Sequence, residues 1–138
     1  MGKLKILIVE DDFLSRSLLA QMVSELGTID IAVDGVEAVD AVKASYAGGV
    51  PYSLVFLDIM MPRKDGRTAL REIRDHEASI GLSPADACKV VMTTALSDAK
   101  SVMGAFDAQC DAYVTKPFSR KAIDAEVGKL FPGSGERT

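Results

Sequence analysis

Five short apolar runs, separated by segments of helical period, limit this chain to a sheet of buried strands covered by helices. Leu4-Lys5-Ile6-Leu7-Ile8-Val9, Ser53-Leu54-Val55-Phe56-Leu57 and Lys89-Val90-Val91-Met92-Thr93-Thr94 are short and β-branched, as in strands buried on both faces of a parallel sheet. Ile29, Ile31 and Val33 alternate as a further strand, and Ala112-Tyr113-Val114-Thr115 is a short last one. Between the runs, Leu14, Leu18, Leu19, Met22, Val23 and Leu26 recur at helical spacing, with Gly27 placed to close that helix. Asp34-Gly35-Val36-Glu37 reads as a capping box that opens a helix through Val39, Val42 and Tyr46, broken by Gly48-Gly49-Val50-Pro51. A helix carrying Leu70 and Ile73 follows the Asp65-Gly66 turn, and Ser97 to Asp107 is predicted as another on Val102, Met103 and Phe106. Ser119 caps a final helix with Ile123, Val127 and Leu130 on one side, and Phe118 and Ile123 are spaced as a hydrophobic staple. Residues 76–88, with Gly81 and Pro84, form a connection longer than the roughly 2 to 6 residues usual in such units. Strands alternating with helices predict a parallel α/β sheet with right-handed crossovers and helices on both faces.

The 138 residues suit a single domain over 4–131, with 132–138 as a flexible polar tail. Sixteen Lys and Arg against twenty Asp and Glu give a net charge of -4, which argues against general attraction to nucleic acid or anionic lipid. There is no room for a helix-turn-helix, so the output is expected to be a protein contact. Cys88 and Cys110 make no CxxC pair and have no clustered histidine, so buried or idle thiols are expected. His76, the one histidine, lies in Arg74-Asp75-His76-Glu77, which reads as a solvated helix end. The run Ile6 to Val9 is too short for a signal-peptide core, and no stretch reaches the roughly 18 apolar residues of a membrane span. The cytoplasm is the expected compartment, and Met1 with the short tail favours a stand-alone protein.

Four of the runs end in reactive residues: Glu10, Asp11 and Asp12; Asp58; Thr93 and Thr94; Thr115 and Lys116. In open parallel sheets ligands gather beyond the carboxyl ends of the strands, so these residues are expected on one rim. Three or more carboxylates close together repel, and a hard cation such as Mg2+ would hold them ionised. Mg2+ favours one or two carboxylates plus phosphate oxygens, so the site implies a phosphorylated ligand. Lys116 and a threonine hydroxyl could bind phosphoryl oxygens, leaving Asp58 to attack phosphorus. Taken singly these residues are ordinary, since Asp commonly caps helices, Thr favours strand ends and Lys is usually solvated. Their convergence carries the reading.

Ile8-Val9-Glu10-Asp11-Asp12, Leu57-Asp58-Ile59-Met60-Met61-Pro62 with Asp65-Gly66, Met92-Thr93-Thr94-Ala95 and Tyr113-Val114-Thr115-Lys116-Pro117-Phe118 resemble the receiver domains of two-component response regulators, in order and approximate spacing. The resemblance covers residues 4 to 131 and implies a flavodoxin-like sheet of order 2-1-3-4-5. It implies that Asp58 takes a phosphoryl group from a histidine kinase or histidine phosphotransfer protein. Asp11, Asp12, Asp58 and the backbone carbonyl of Met60 would hold Mg2+, and Lys116 would bind a phosphoryl oxygen. Thr94 would be the switch hydroxyl and Tyr113 the aromatic that turns inward. Ala95, Met60, Leu96 and Pro117 would surround the phosphoryl group, with a cis bond between Lys116 and Pro117. Phe13, Pro117 and Phe118 are expected near the rim where a donor docks, although Phe118 competes for the staple.

Two features depart from the family pattern. Gln109 stands where glycine is usual, and the 76–88 connection is similar to that of receivers in hybrid-kinase phosphorelays. Such a chain is expected to be a signalling switch rather than a turnover enzyme, a monomer or a dimer formed on phosphorylation. The alternative is a Mg2+-dependent phosphohydrolase with Asp58 as nucleophile, but Met60 stands where such enzymes carry a second Asp. A flavin carrier is disfavoured because no Ser/Thr/Gly-rich loop follows the first strand.

Overall fold

In the computed structural model, which describes residues 3–95 and 109–132, five strands form one parallel sheet. They are β1 (Leu4–Val9), β2 (Gly27–Ala32), β3 (Leu54–Asp58), β4 (Lys89–Ala95) and β5 (Ala112–Lys116), in the order β2-β1-β3-β4-β5. Four helices are described: α1 (Phe13–Val23), α2 (Gly35–Ala47), α3 (Gly66–Ser79) and α4 (Arg120–Leu130). The helix expected over Ser97 to Asp107 lies outside the described residues, as do Leu96 and residues 133–138 of the expected tail. Among the described residues no helix is long and apolar enough to cross a membrane.

The sheet separates two apolar layers, because side chains alternate along each strand. Leu7, Val9, Val55, Leu57, Val90 and Met92 pack against α2 and α3 through Val39, Val42, Leu70 and Ile73. Ile6, Ile8, Leu54, Phe56, Val91 and Val114 pack against α1 and α4 through Leu19, Val23, Ile123 and Val127. Every residue of β3 is buried, which accounts for its unbroken apolar run.

The predicted caps Asp34 and Ser119 are in place, and Asp65 of the predicted turn caps α3 as well. The Glu37 amide donates to Asp34 at 2.9 Å, the Thr68 amide to Asp65 at 2.9 Å and the Ala122 amide to Ser119 at 3.1 Å. The return bond of the capping box goes one residue further out than the standard box, from the Val33 amide to Glu37. Phe118 and Ile123 are both buried in one layer, as the staple requires.

Several expectations are corrected. α1 ends at Val23 with Ser24 as its cap, and Gly27 instead opens β2 opposite Leu4. A Cβ at Gly27 would stand 1.8 Å from the Leu4 carbonyl oxygen, so the glycine answers close strand approach and not a helix end. Leu14 is 75% exposed and Leu18 also faces out, since Leu19, Val23 and Leu26 already cover the sheet. The 76–88 connection proves to be four more residues of α3, to Ser79, followed by turns. His76 stands half-exposed in the last turn of α3, as expected, but its neighbour Glu77 is buried and paired with Arg74 at 2.7 Å.

Candidate functional site

β1 and β3 are adjacent, with Val9 paired to Leu57, so Glu10 and Asp58 meet one step beyond. β4 brings Thr93 opposite Asp58, and β5 brings Lys116 opposite Ala95. Gly66 closes the far side. Its amide donates to the Ile59 carbonyl at 2.8 Å, and a Cβ there would stand 2.2 Å from the Asp58 carbonyl oxygen.

Asp58 is 4% exposed. The Lys116 ammonium lies 3.3 Å from its Oδ2 and 2.5 Å from Oε1 of Glu10, which is also buried. Oε2 of Glu10 accepts the Asp12 amide at 3.0 Å while Oε1 takes the ammonium, so both oxygens of this buried carboxylate are engaged. Carboxylate oxygens of Glu10, Asp11 and Asp58 lie within 4.8 Å of one another. One ammonium therefore faces three carboxylates. Burial, then the Glu10 charge, push Asp58 up to about 7, against the opposing pull of Lys116. Burial and Glu10 also raise Asp11. Burial alone would lower Lys116, but Glu10 and Asp58 outweigh it and hold it charged. A hard divalent cation would relieve this repulsion among three clustered carboxylates, so the donor set fits a metal of the Mg2+ class.

The acidic pair expected from the sequence, Asp11 with Asp12, is shifted by one residue. Asp12 is turned away as the N-cap of α1, accepting the Ser15 amide at 2.8 Å, and this contact lowers its pKa. Glu10 takes its place in the cluster. A signal for this was present, because Asp12 immediately precedes the helical period, where Asp is favoured as a cap. Arg16 holds the turn from outside, donating to the carbonyls of Asp11 at 3.1 Å and Glu10 at 3.4 Å.

The remaining expected residues are spread around this centre. Thr94 is buried, and its hydroxyl donates to the Ala95 carbonyl at 3.4 Å. Tyr113 is half-buried against the α2 and α3 layer. Met60 is 64% exposed beside the rim, and Pro117 is exposed after a cis bond with Lys116. Phe13 is exposed, whereas Phe118 is buried and so takes its staple role. Sequence reasoning missed Arg63, whose guanidinium pairs with buried Asp34 at 3.1 Å. It left no local signal, since its partner lies on α2.

Comparison with known proteins agrees with this geometry. The response regulator receiver domain family matches residues 6–128. The chain is 35% identical to the regulatory protein VanRB of Enterococcus faecalis, over 96% of this chain and 54% of that one. It is 32% identical to the probable histidine kinase 2 of Oryza sativa subsp. indica, over 93% of this chain and 13% of that one. The chain thus spans about half of the first relative and a small part of the second. Among solved structures, the CheX-CheY-BeF3-Mg complex from Borrelia burgdorferi superposes with a TM-score of 0.76 at 30% identity, covering 93% of this chain and 89% of that one. The receiver domain of the sensor histidine kinase PA1611 from Pseudomonas aeruginosa, with magnesium in its active-site cleft, gives 0.73 at 22% identity, covering 94% and 98%, and speaks for the fold alone. None of this supports the phosphohydrolase alternative. With its 2-1-3-4-5 parallel sheet and an acidic rim around Asp58, the chain belongs to the receiver domains of two-component response regulators.

Proposed function

We propose that Asp58 accepts a phosphoryl group from a histidine kinase or histidine phosphotransfer protein, in a folded unit spanning residues 4–131. Glu10, Asp11 and Asp58, with the Met60 carbonyl, would hold Mg2+. The observation that carries this reading is one ammonium, Lys116, set among three clustered carboxylates of which Asp58 is nearly fully buried. When bound, the cation would neutralise the carboxylates and polarise phosphoryl oxygens. Magnesium in the Borrelia structure supports the choice of metal.

An Asp58 carboxylate oxygen forms the new bond to phosphorus as the bond to the donor's imidazole nitrogen breaks, and the donor histidine departs with that electron pair. Lys116 exchanges part of its contact with Glu10 and Asp58 for a phosphoryl oxygen. Thr94 leaves the Ala95 carbonyl to bind another, and Tyr113 follows inward. The surface of the β4 and β5 side shifts between two states, and a protein partner reads the difference. Acceptance is stoichiometric, so a chromogenic phosphate ester would not be turned over. The protein is monomeric, or dimeric once phosphorylated.

Intact-mass spectrometry after incubation with acetyl phosphate tests the acceptor. Wild type should gain one phosphoryl group only with Mg2+ present, and Asp58→Ala should gain none. A folded wild type that gains nothing from any phosphodonor would sink the proposal.

A further inference from the structure

The loop of residues 59–65, which carries the Met60 carbonyl, is tied down at more points than a surface connection requires. Arg63 holds φ at +67°, and among the described residues it is the one non-glycine residue with a positive φ. For an arginine this left-handed backbone persists only where surrounding contacts impose it. The imposing contact is the 3.1 Å ion pair from its guanidinium, 60% exposed, to the carboxylate of Asp34, buried at the start of α2. Asp34 is itself fixed, since it accepts the Glu37 amide at 2.9 Å as the α2 cap. Lys64 pairs with Glu72 at 2.6 Å, and a Cβ at Gly35 would stand 2.3 Å from the Lys64 carbonyl oxygen. The loop therefore lies against α2 with no space between.

From these contacts we infer that Arg63 is a positioning residue: its pair with Asp34 holds the 59–65 loop in the conformation that completes the cation site, and so sets the affinity of that site for a divalent metal. The inference rests on the phosphoacceptor reading, because it assigns the Met60 carbonyl to the metal. Asp34 and Arg63 touch neither the metal nor Asp58. They act through the backbone between Asp58 and Gly66.

Isothermal titration of the metal-free protein with MgCl2 tests this in a pairwise cycle. Arg63→Gly relaxes the backbone and removes the anchor, and Asp34→Asn keeps a capping residue while removing the charge. Each should weaken Mg2+ binding about five-fold, the scale of a well-placed exposed ion pair. The double variant should be no weaker than either single one, and Arg63→Lys should retain wild-type affinity within about two-fold. Melting in chelator should separate a binding effect from loss of fold. Single variants that bind Mg2+ as tightly as wild type, or losses that simply add, would overturn the clamp while leaving the phosphoacceptor reading intact. A wild type that binds no Mg2+ would instead overturn the reading on which the clamp depends.

Discussion

Two poles of the sheet bury charges, and they treat them in opposite ways. At the carboxyl ends of the strands, Glu10, Asp11 and Asp58 share one ammonium, and Asp58 is driven up to about 7 by burial and by Glu10. At the other end, Arg74 reaches from α3 to the Gln109 carbonyl at 2.8 Å, the Cys88 carbonyl at 2.9 Å, Glu77 at 2.7 Å and Asp111 at 3.1 Å. Glu77 also accepts from the Tyr46 hydroxyl, the Cys88 amide and the Cys88 thiol. Burial alone would raise Glu77, yet Tyr46, Arg74 and Cys88 together hold it below its ordinary range. Cys88 is pushed up to about 12, first by burial and then by Glu77, so its thiol is inert there. The paired pole joins α2, α3, β4 and β5. The other pole is under-neutralised, with one ammonium against three carboxylates, as the proposed cation site would require.

Breaking the paired pole should have the largest effect. Glu77→Ala leaves Arg74 short of a partner inside the protein and should cost about 3 to 4 kcal/mol in urea unfolding. A loss under about 1 kcal/mol would show that the two poles do not differ as described.

Asp58→Asn should move stability the other way. The folded pKa of Asp58, about 7, lies above the ordinary 3.8. Between these values the folded state binds the proton that the unfolded state has released, so metal-free stability falls as pH rises from about 4 to 7. At pH 8 in chelator the Asn variant should be more stable than wild type by about 2 kcal/mol, and added Mg2+ should close the gap. Glu77 has the opposite sign: its pKa is lowered, so its contribution is present above about 4.5 and is lost on acidification. Denaturation across pH 2 to 8 for wild type, Asp58→Asn and Glu77→Gln separates the two slopes.

A smaller effect distinguishes Asp12 from Glu10. Asp12→Ala removes the α1 cap and should lower the melting temperature by a few degrees without weakening Mg2+. Glu10→Gln should weaken Mg2+ at once, and equal weakening in both would restore Asp12 to the metal site. The smallest change expected is kinetic. Met60, exposed at the rim, would hinder the water that removes the phosphoryl group, so Met60→Asn should shorten the phosphorylated lifetime a few-fold, read by the decay of the phosphorylated mass. An unchanged lifetime would remove Met60 from that role.

Much of the site could be read before the structure because strand ends are local events. Asp58 follows an unbroken apolar run, Lys116 follows another, and buried parallel strands place both on one rim. The unbroken apolar runs of β1, β3 and β4 also announced layers on both faces, and Asp34 and Ser119 announced their helices by capping bonds only three residues long. Partnerships across the sequence left no such mark. Arg74 meets Gln109 and Asp111, Arg63 meets Asp34, and Leu14 and Leu18 face outward only because Leu19 and Val23 reach the sheet first.

The sequence by itself determined the alternation of strands and helices and singled out Asp58, the proposed phosphoacceptor, because periodicity, capping and the abrupt end of an apolar run act over a few residues. Tertiary structure alone decided which charges meet Lys116 and which buried charges are neutralised. In Glu10-Asp11-Asp12 all three side chains can bind a metal or cap a helix. The local cap takes Asp12 to the Ser15 amide, but only the neighbouring positions of β1 and β5 around β3 and β4 bring Glu10 to Lys116.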